Sequence, residues 1–117
     1  QRENGELYNF ISAQVTNALK DVSEQDAIKN VVIAYEPLWA IGTGVTATSL
    51  QAEEICKFIR EEVKKIYNEK VSESIRIQYG GSVKPSNANE ILNMPNIDGA
   101  LVGGASLTND FVAIVNY

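Results

Sequence analysis

The chain has 117 residues, of which 44% are apolar and 21% charged, the usage of an ordinary globular domain; natively disordered and low-complexity classes are excluded. Its net charge of −5 and the lack of any sustained basic stretch exclude a nucleic-acid partner, whose phosphates must be neutralised by cations. No apolar run approaches the ~20 residues of a membrane span and no secretory signal is visible, so a cytoplasmic protein without a membrane partner is expected.

The single cysteine, Cys56, excludes an internal disulfide and agrees with a reducing compartment. The chain holds no histidine, which removes serine–histidine and cysteine–histidine nucleophiles and the usual His/Cys zinc sites. Metal is therefore not expected, and Cys56 reads as a small, partly buried residue on a helix face.

In chain order, Leu7, Phe10, Ile11, Val15, Ala18, Leu19 and Val22 recur at three- and four-residue steps and predict one amphipathic helix. The short β-branched run Val31, Val32, Ile33, Ala34 has no polar alternation and predicts a strand buried on both faces. Pro37 ends strand pairing and Gly42 and Gly44 open a loop. A second helix is predicted from about Leu50 to Tyr67, with Ile55, Phe58, Ile59, Val63 and Ile66 on its apolar stripe and Thr48 and Gln51 spaced as a capping box. Lys64 and Lys65 lie beside Glu61 and Glu62 on what reads as a solvated face.

Ile75 to Tyr79 predicts a second strand leading into YGGSV, and Gly99 to Val102 a third leading into VGGASL. Between them, Ser86 opens a short helix with Ala88, Ile91 and Leu92 inward and Pro95 beyond its end. A short final helix closes the order. Strands alternating with helices predict parallel βαβ units.

Glu36 follows the first strand immediately, and a carboxylate there is a solvated loop residue, an ion-pair partner or a general base. The segment AYEPLWAIGTG around it resembles the catalytic loop of the triosephosphate isomerase family. YGGSV and VGGASL follow in that family's order and at its intervals, so the resemblance covers essentially the whole chain. A lone GTG or GG would carry little, whereas the ordered trio is specific.

The resemblance implies the α/β fold of a TIM (β/α)8 barrel, here its C-terminal part from the fifth helix through strand eight, with three parallel strands. A complete barrel needs about 250 residues and at least about 200, so 117 residues form a single partial domain, residues 1–117, with the barrel incomplete. The start at Gln1, without an initiating methionine, is read as a cut inside a larger protein.

By the same resemblance Glu36 is the catalytic base. Gly42, Ser82, Gly103 and Gly104 hold the substrate phosphate, the last two through amides at a helix start after the final strand. Loop residues 37 to 47, with Pro37, Trp39, Thr46 and Tyr79 in loop closure, would shut over the substrate, a gating for which this family is itself a standing example. Trp39 divides evenly between packing and anchoring the shut loop, and Tyr79 between core packing and a bond to it. Gly80 and Gly81 read as turn formers. Val45 stands where the family commonly has lysine at the far hinge.

The implied reaction interconverts dihydroxyacetone phosphate and glyceraldehyde 3-phosphate by proton transfer, with no cofactor. The implied partners are a small phosphorylated triose, the missing N-terminal half of the barrel and, in the intact protein, a second copy in a homodimer. The groups that polarise the carbonyl come from the missing half in this family. Losing such a donor typically costs ~10²–10³ in turnover, so this chain alone is expected to be inactive. Two other readings stay open: another phosphate-binding barrel isomerase, and a non-catalytic phosphate-binding or assembly fragment.

Overall fold

The computed structural model describes residues 4–36, 48–81, 83–102 and 104–117. Helix α1 spans Asn4–Ala18, followed by α2, Glu24–Asn30, and strand β1, Val32–Tyr35. The long helix α3, Ser49–Ile66, leads through α4, Glu69–Ser74, into β2, Arg76–Gly80. Helix α5, Pro85–Leu92, strand β3, Gly99–Leu101, a 3-10 turn over Gly104–Leu107 and helix α6, Asp110–Val115, complete the order.

The strands form one parallel sheet in the order β1-β2-β3, as the alternation of elements predicts. The register pairs Ile33 with Ile77 and Tyr35 with Tyr79, and Tyr79 in turn with Ala100. Paired residues share a face, so these five side chains form the packed side of the sheet. Ile77 and Tyr79 are fully buried there, in one core with Ile55, Ile59 and Val63 of α3.

The opposite face carries Val32, Ala34, Arg76, Gln78 and Leu101, and no layer of described residues covers it. Burial of β1 on both faces is therefore not found: Val32 is 49% exposed and Ala34 is exposed as well. The physical reason is position, since β1 is an edge strand of an open sheet whose helices pack on one side. β1 and β3 each keep an edge without a partner strand among the described residues.

Helix α1 buries Leu7, Ile11 and Val15, and Leu19 just past its end continues this ridge at four-residue steps, which packs on α3. Phe10 and Ala18, expected on the same stripe, flank that ridge and are exposed. The chain then reverses through Asp21 at φ 66°, a left-handed conformation that aspartate tolerates better than most residues. The Tyr67 hydroxyl donates to the Val22 carbonyl at 2.7 Å and holds this turn against the end of α3.

Helix α3 begins one residue before its expected start, with both halves of the capping box formed: Gln51 N–H to Thr48 Oγ1 and Thr48 N–H to Gln51 Oε1, each 3.0 Å. Its stripe buries Ile55, Ile59 and Val63, with Phe58 and Ile66 half-buried. Cys56 is deeper than expected, at 0% exposure, and burial pushes its thiol up to about 12.

Helices α2 and α4 are additions to the expected order. Both are short segments built around a cap: Ser23 Oγ accepts from Asp26 N–H at 3.1 Å, and Asn68 Oδ1 from Val71 N–H at 2.9 Å. α2 buries Ala27 and α4 buries Val71 and Ser72, too few positions to make a periodic stripe.

Arg60, half-way along α3, ties the starts of β2 and β3 together. Its guanidinium donates to the carbonyls of Ser72 (2.5 Å), Ile75 (3.0 Å) and Asn96 (3.3 Å) and pairs with Asp98 Oδ2 at 2.7 Å. Asp98 Oδ2 also accepts from Ile77 N–H at 2.9 Å, so one ion pair registers the two strands at their N-terminal ends.

Candidate active site

Glu36 follows β1 and continues the alternation of Val32 and Ala34 onto the open face of the sheet. Its neighbour across the sheet is Gly80, the last residue of β2. A Cβ built on Gly80 would lie 3.4 Å from Glu36 Cβ and 3.5 Å from Leu101 Cβ. Glycine at this position lets the base candidate stand close to the middle strand, between two strand ends. Glu36 is exposed, free to meet a ligand arriving over the sheet's C-terminal edge.

The loops that carry the phosphate-ligand candidates leave that same edge. The segment after β2 passes through Gly81, and a Cβ there would overlap the Tyr79 hydroxyl and come within 2.7 Å of its Cζ. Gly81 is thus needed for the backbone to cross the Tyr79 ring. Tyr79 itself is fully buried, at 0% exposure, and its ring packs in the core. After β3, Gly104 opens a single 3-10 turn, with the α-helical segment starting only at Asp110. The amides after the last strand are therefore those of one tight turn. Gly42, Pro37, Trp39, Thr46, Ser82 and Gly103 lie outside the described residues.

In parallel α/β sheets, ligands bind at the C-terminal ends of strands, where successive loops converge. Glu36, the Gly80–Gly81 step and Gly104 meet that rule. Arg60 and Asp98 sit at the opposite end, where they serve the fold. A cavity of about 390 Å³ runs between α1 and β1, lined among others by Ile11, Val15, Leu19, Val31 and Ile33. It excludes Glu36 and has no charged lining residue, so it suits apolar chain and not a phosphate. Among the described residues no group of three or more His, Cys, Asp or Glu side chains could hold a metal ion, and no helix is long and apolar enough to cross a membrane.

A family model described as triosephosphate isomerase matches residues 1–117. The chain belongs to the triosephosphate isomerase family. Among curated relatives named triosephosphate isomerase, that of Mycoplasma capricolum is 60% identical over 117 residues, covering 99% of this chain and 47% of the relative. That of Lactiplantibacillus plantarum is 57% identical over 118 residues, covering 100% of this chain and 46% of the relative. That of Pediococcus pentosaceus is 54% identical over 118 residues, with 100% and 47% covered. The chain thus spans about half the length of the curated relatives it matches. Membership agrees with the partial α/β barrel: an open sheet of three parallel strands with its helices on one face.

Several long-range polar links among the described residues were not foreseen from sequence. Arg60–Asp98 spans 38 residues, and Ser49 Oγ–Glu90 Oε1 spans 41. Side chains that far apart carry no local spacing signal. Arg60 lies among Lys57, Glu61 and Glu62 on α3, so its charge does not stand out in the sequence.

Proposed function

We propose that this chain is the C-terminal part of a barrel that interconverts dihydroxyacetone phosphate and glyceraldehyde 3-phosphate. Glu36 takes the proton from the carbon beside the carbonyl and returns it to the neighbouring carbon through an enediol intermediate. The observation that carries the reading is the position of Glu36: on the open face, at the C-terminal end of β1 and beside Gly80.

Gly42, Ser82, Gly103 and Gly104 bind the phosphate in this reading. Amides and a turn's dipole supply the attraction that a chain of net charge −5 does not. Pro37, Trp39, Thr46 and Tyr79 serve the approach of residues 37–47 over the substrate, which sheds water and protects the intermediate from losing its phosphate, as in the lid closure for which this family is a standing example. The N-terminal half supplies the group that polarises the carbonyl, closes the barrel over the open face and builds the homodimer. The intact enzyme acts in the cytoplasm and needs no cofactor.

The test is isomerase activity of the full-length protein, with and without Glu36→Gln. A fall of roughly 10³-fold or more in kcat on removing the base, with KM little changed, supports the role. Equal activity of the variant would reject it. Residues 1–117 alone should show no turnover.

A further inference from the structure

Arg76 opens β2, and the register sets it beside Val32 on the open face of the sheet. Ala34, Gln78 and Leu101 share that face, on which Arg76 is the one cation among the described residues. It has no ion-pair or hydrogen-bond partner among those residues, whose ion pairs are Arg60–Asp98 and Lys65–Glu62.

The carboxylates around it are engaged or out of range. Asp98, across from β2, is held by the Arg60 guanidinium and by Ile77 N–H. Glu36 shares the open face but stands four positions beyond Val32 along β1, about 13 Å at the rise of a strand. Glu73 of α4 is exposed and makes no ion pair with Arg76. The Gln78 amide lies over β3, where a Cβ on Gly99 would come 3.5 Å from its Nε2.

The chain spans about half the length of its relatives and both edges of its sheet are open, so further strands curl around this face in the closed barrel, whose interior is filled by side chains. A guanidinium stays charged at every working pH. Covering it without an acceptor costs the desolvation of a full charge, and a carboxylate that takes its fork of donors offsets that cost. The competing arrangement, in which the Arg76 stem runs out of the barrel end and its head stays in water, needs no acid.

We propose that the N-terminal half of the same protein sets a carboxylate against Arg76, so that one ion pair inside the barrel fixes the register in which the two halves close. This rests on the barrel reading. The docking surface is thus apolar at Val32, Ala34 and Leu101 and cationic at Arg76, and its occupant is apolar and anionic in the same places.

The experiment uses the full-length protein. Phenylglyoxal labelling with peptide mapping reads whether Arg76 is covered, and urea midpoints at pH 5 and pH 8 compare the parent with Arg76→Met and Arg76→Gln. In either variant the acid has lost its cation and burial raises its pKa above the unfolded value, so the deficit is full at pH 8 and shrinks as pH falls. Expected is an Arg76→Met midpoint about 1 M below the parent at pH 8 and less than about half that deficit at pH 5. Arg76→Gln, which keeps a donor for the acid, shows a smaller deficit of the same pH dependence and carries the test if Arg76→Met does not fold. A midpoint within about 0.2 M of the parent at pH 8, or a deficit equal at the two pH values, would overturn the proposal. Labelling of Arg76 in the native protein as fast as in urea would instead overturn the barrel reading. Protection lost on dilution, with the circular dichroism unchanged, would put a second copy on this face and overturn the assignment to the N-terminal half.

Discussion

Glu36 and Gly80 stand side by side at the C-terminal edge of the sheet, so close that a methyl group on Gly80 would touch Glu36 Cβ at 3.4 Å. That distance is ordinary van der Waals contact, so alanine fits where a branched side chain does not. Gly80→Ala should fold and keep kcat within about threefold, helped by about 0.5–1 kcal/mol from a stiffer unfolded chain. Gly80→Val should push on Glu36 and lower kcat by roughly tenfold or more, since small displacements of a reacting group are costly. Steady-state kinetics of the two full-length variants, beside their urea midpoints, separate displacement from unfolding.

Gly81 gives the contrasting case. A Cβ there overlaps the hydroxyl and approaches Cζ of Tyr79 within 2.7 Å, and Tyr79 is fully buried and has nowhere to go. Gly81→Ala should cost about 1–3 kcal/mol, as overpacking in a close-packed core does. Combining it with Tyr79→Leu, which removes the ring, should recover part of that loss. Denaturant titration of the single and double variants checks the coupling.

The Arg60 guanidinium satisfies three carbonyls and one carboxylate, with its side chain 13% exposed and that of Asp98 38% exposed. Arg60→Met should cost about 2–4 kcal/mol, because it strands polar acceptors at the start of two strands. Arg60→Lys should rescue little, since a single ammonium cannot reproduce the planar fork of donors. Urea midpoints of the full-length variants would show it; equal stability of the lysine variant would refute the fork argument.

Cys56 provides a pH prediction. Burial, and then the nearby Glu53 charge, raise its thiol from an ordinary value of 9.0 to about 12 in the folded chain. The unfolded chain therefore loses this proton first, and the folded state is disfavoured as pH rises. The stabilising contribution is complete below pH 9 and disappears as pH climbs through the folded value near 12. Stability measured between pH 8 and 11 should fall with a slope that Cys56→Ala reduces. In the native protein the thiol should resist a disulfide reagent at pH 8 and react once urea opens the core.

How much of this was legible beforehand depended on whether the signal was local. The capping box of Thr48 and Gln51 acts across three residues and appears in the structure as a reciprocal pair of bonds. α2 and α4 escaped because each buries too few residues for a stripe, although Ser23 three residues before Asp26 is the spacing of an N-terminal cap. The exposure of Val32 was not legible at all, for an apolar run shows that a strand wants burial and not whether a layer lies over it.

From its order of residues alone, this chain determined its family, its alternating strands and helices and the carboxylate that follows the first strand, because those are written in short-range periodicity, turn chemistry and motif order. Tertiary structure alone decided which face of the sheet is packed, that Gly80 borders Glu36, and that Arg60 and Glu90 reach residues 38 and 41 positions away. Such contacts depend on strand register and helix packing, which bring distant residues together through the summed burial of many side chains and leave no mark at either position in the sequence.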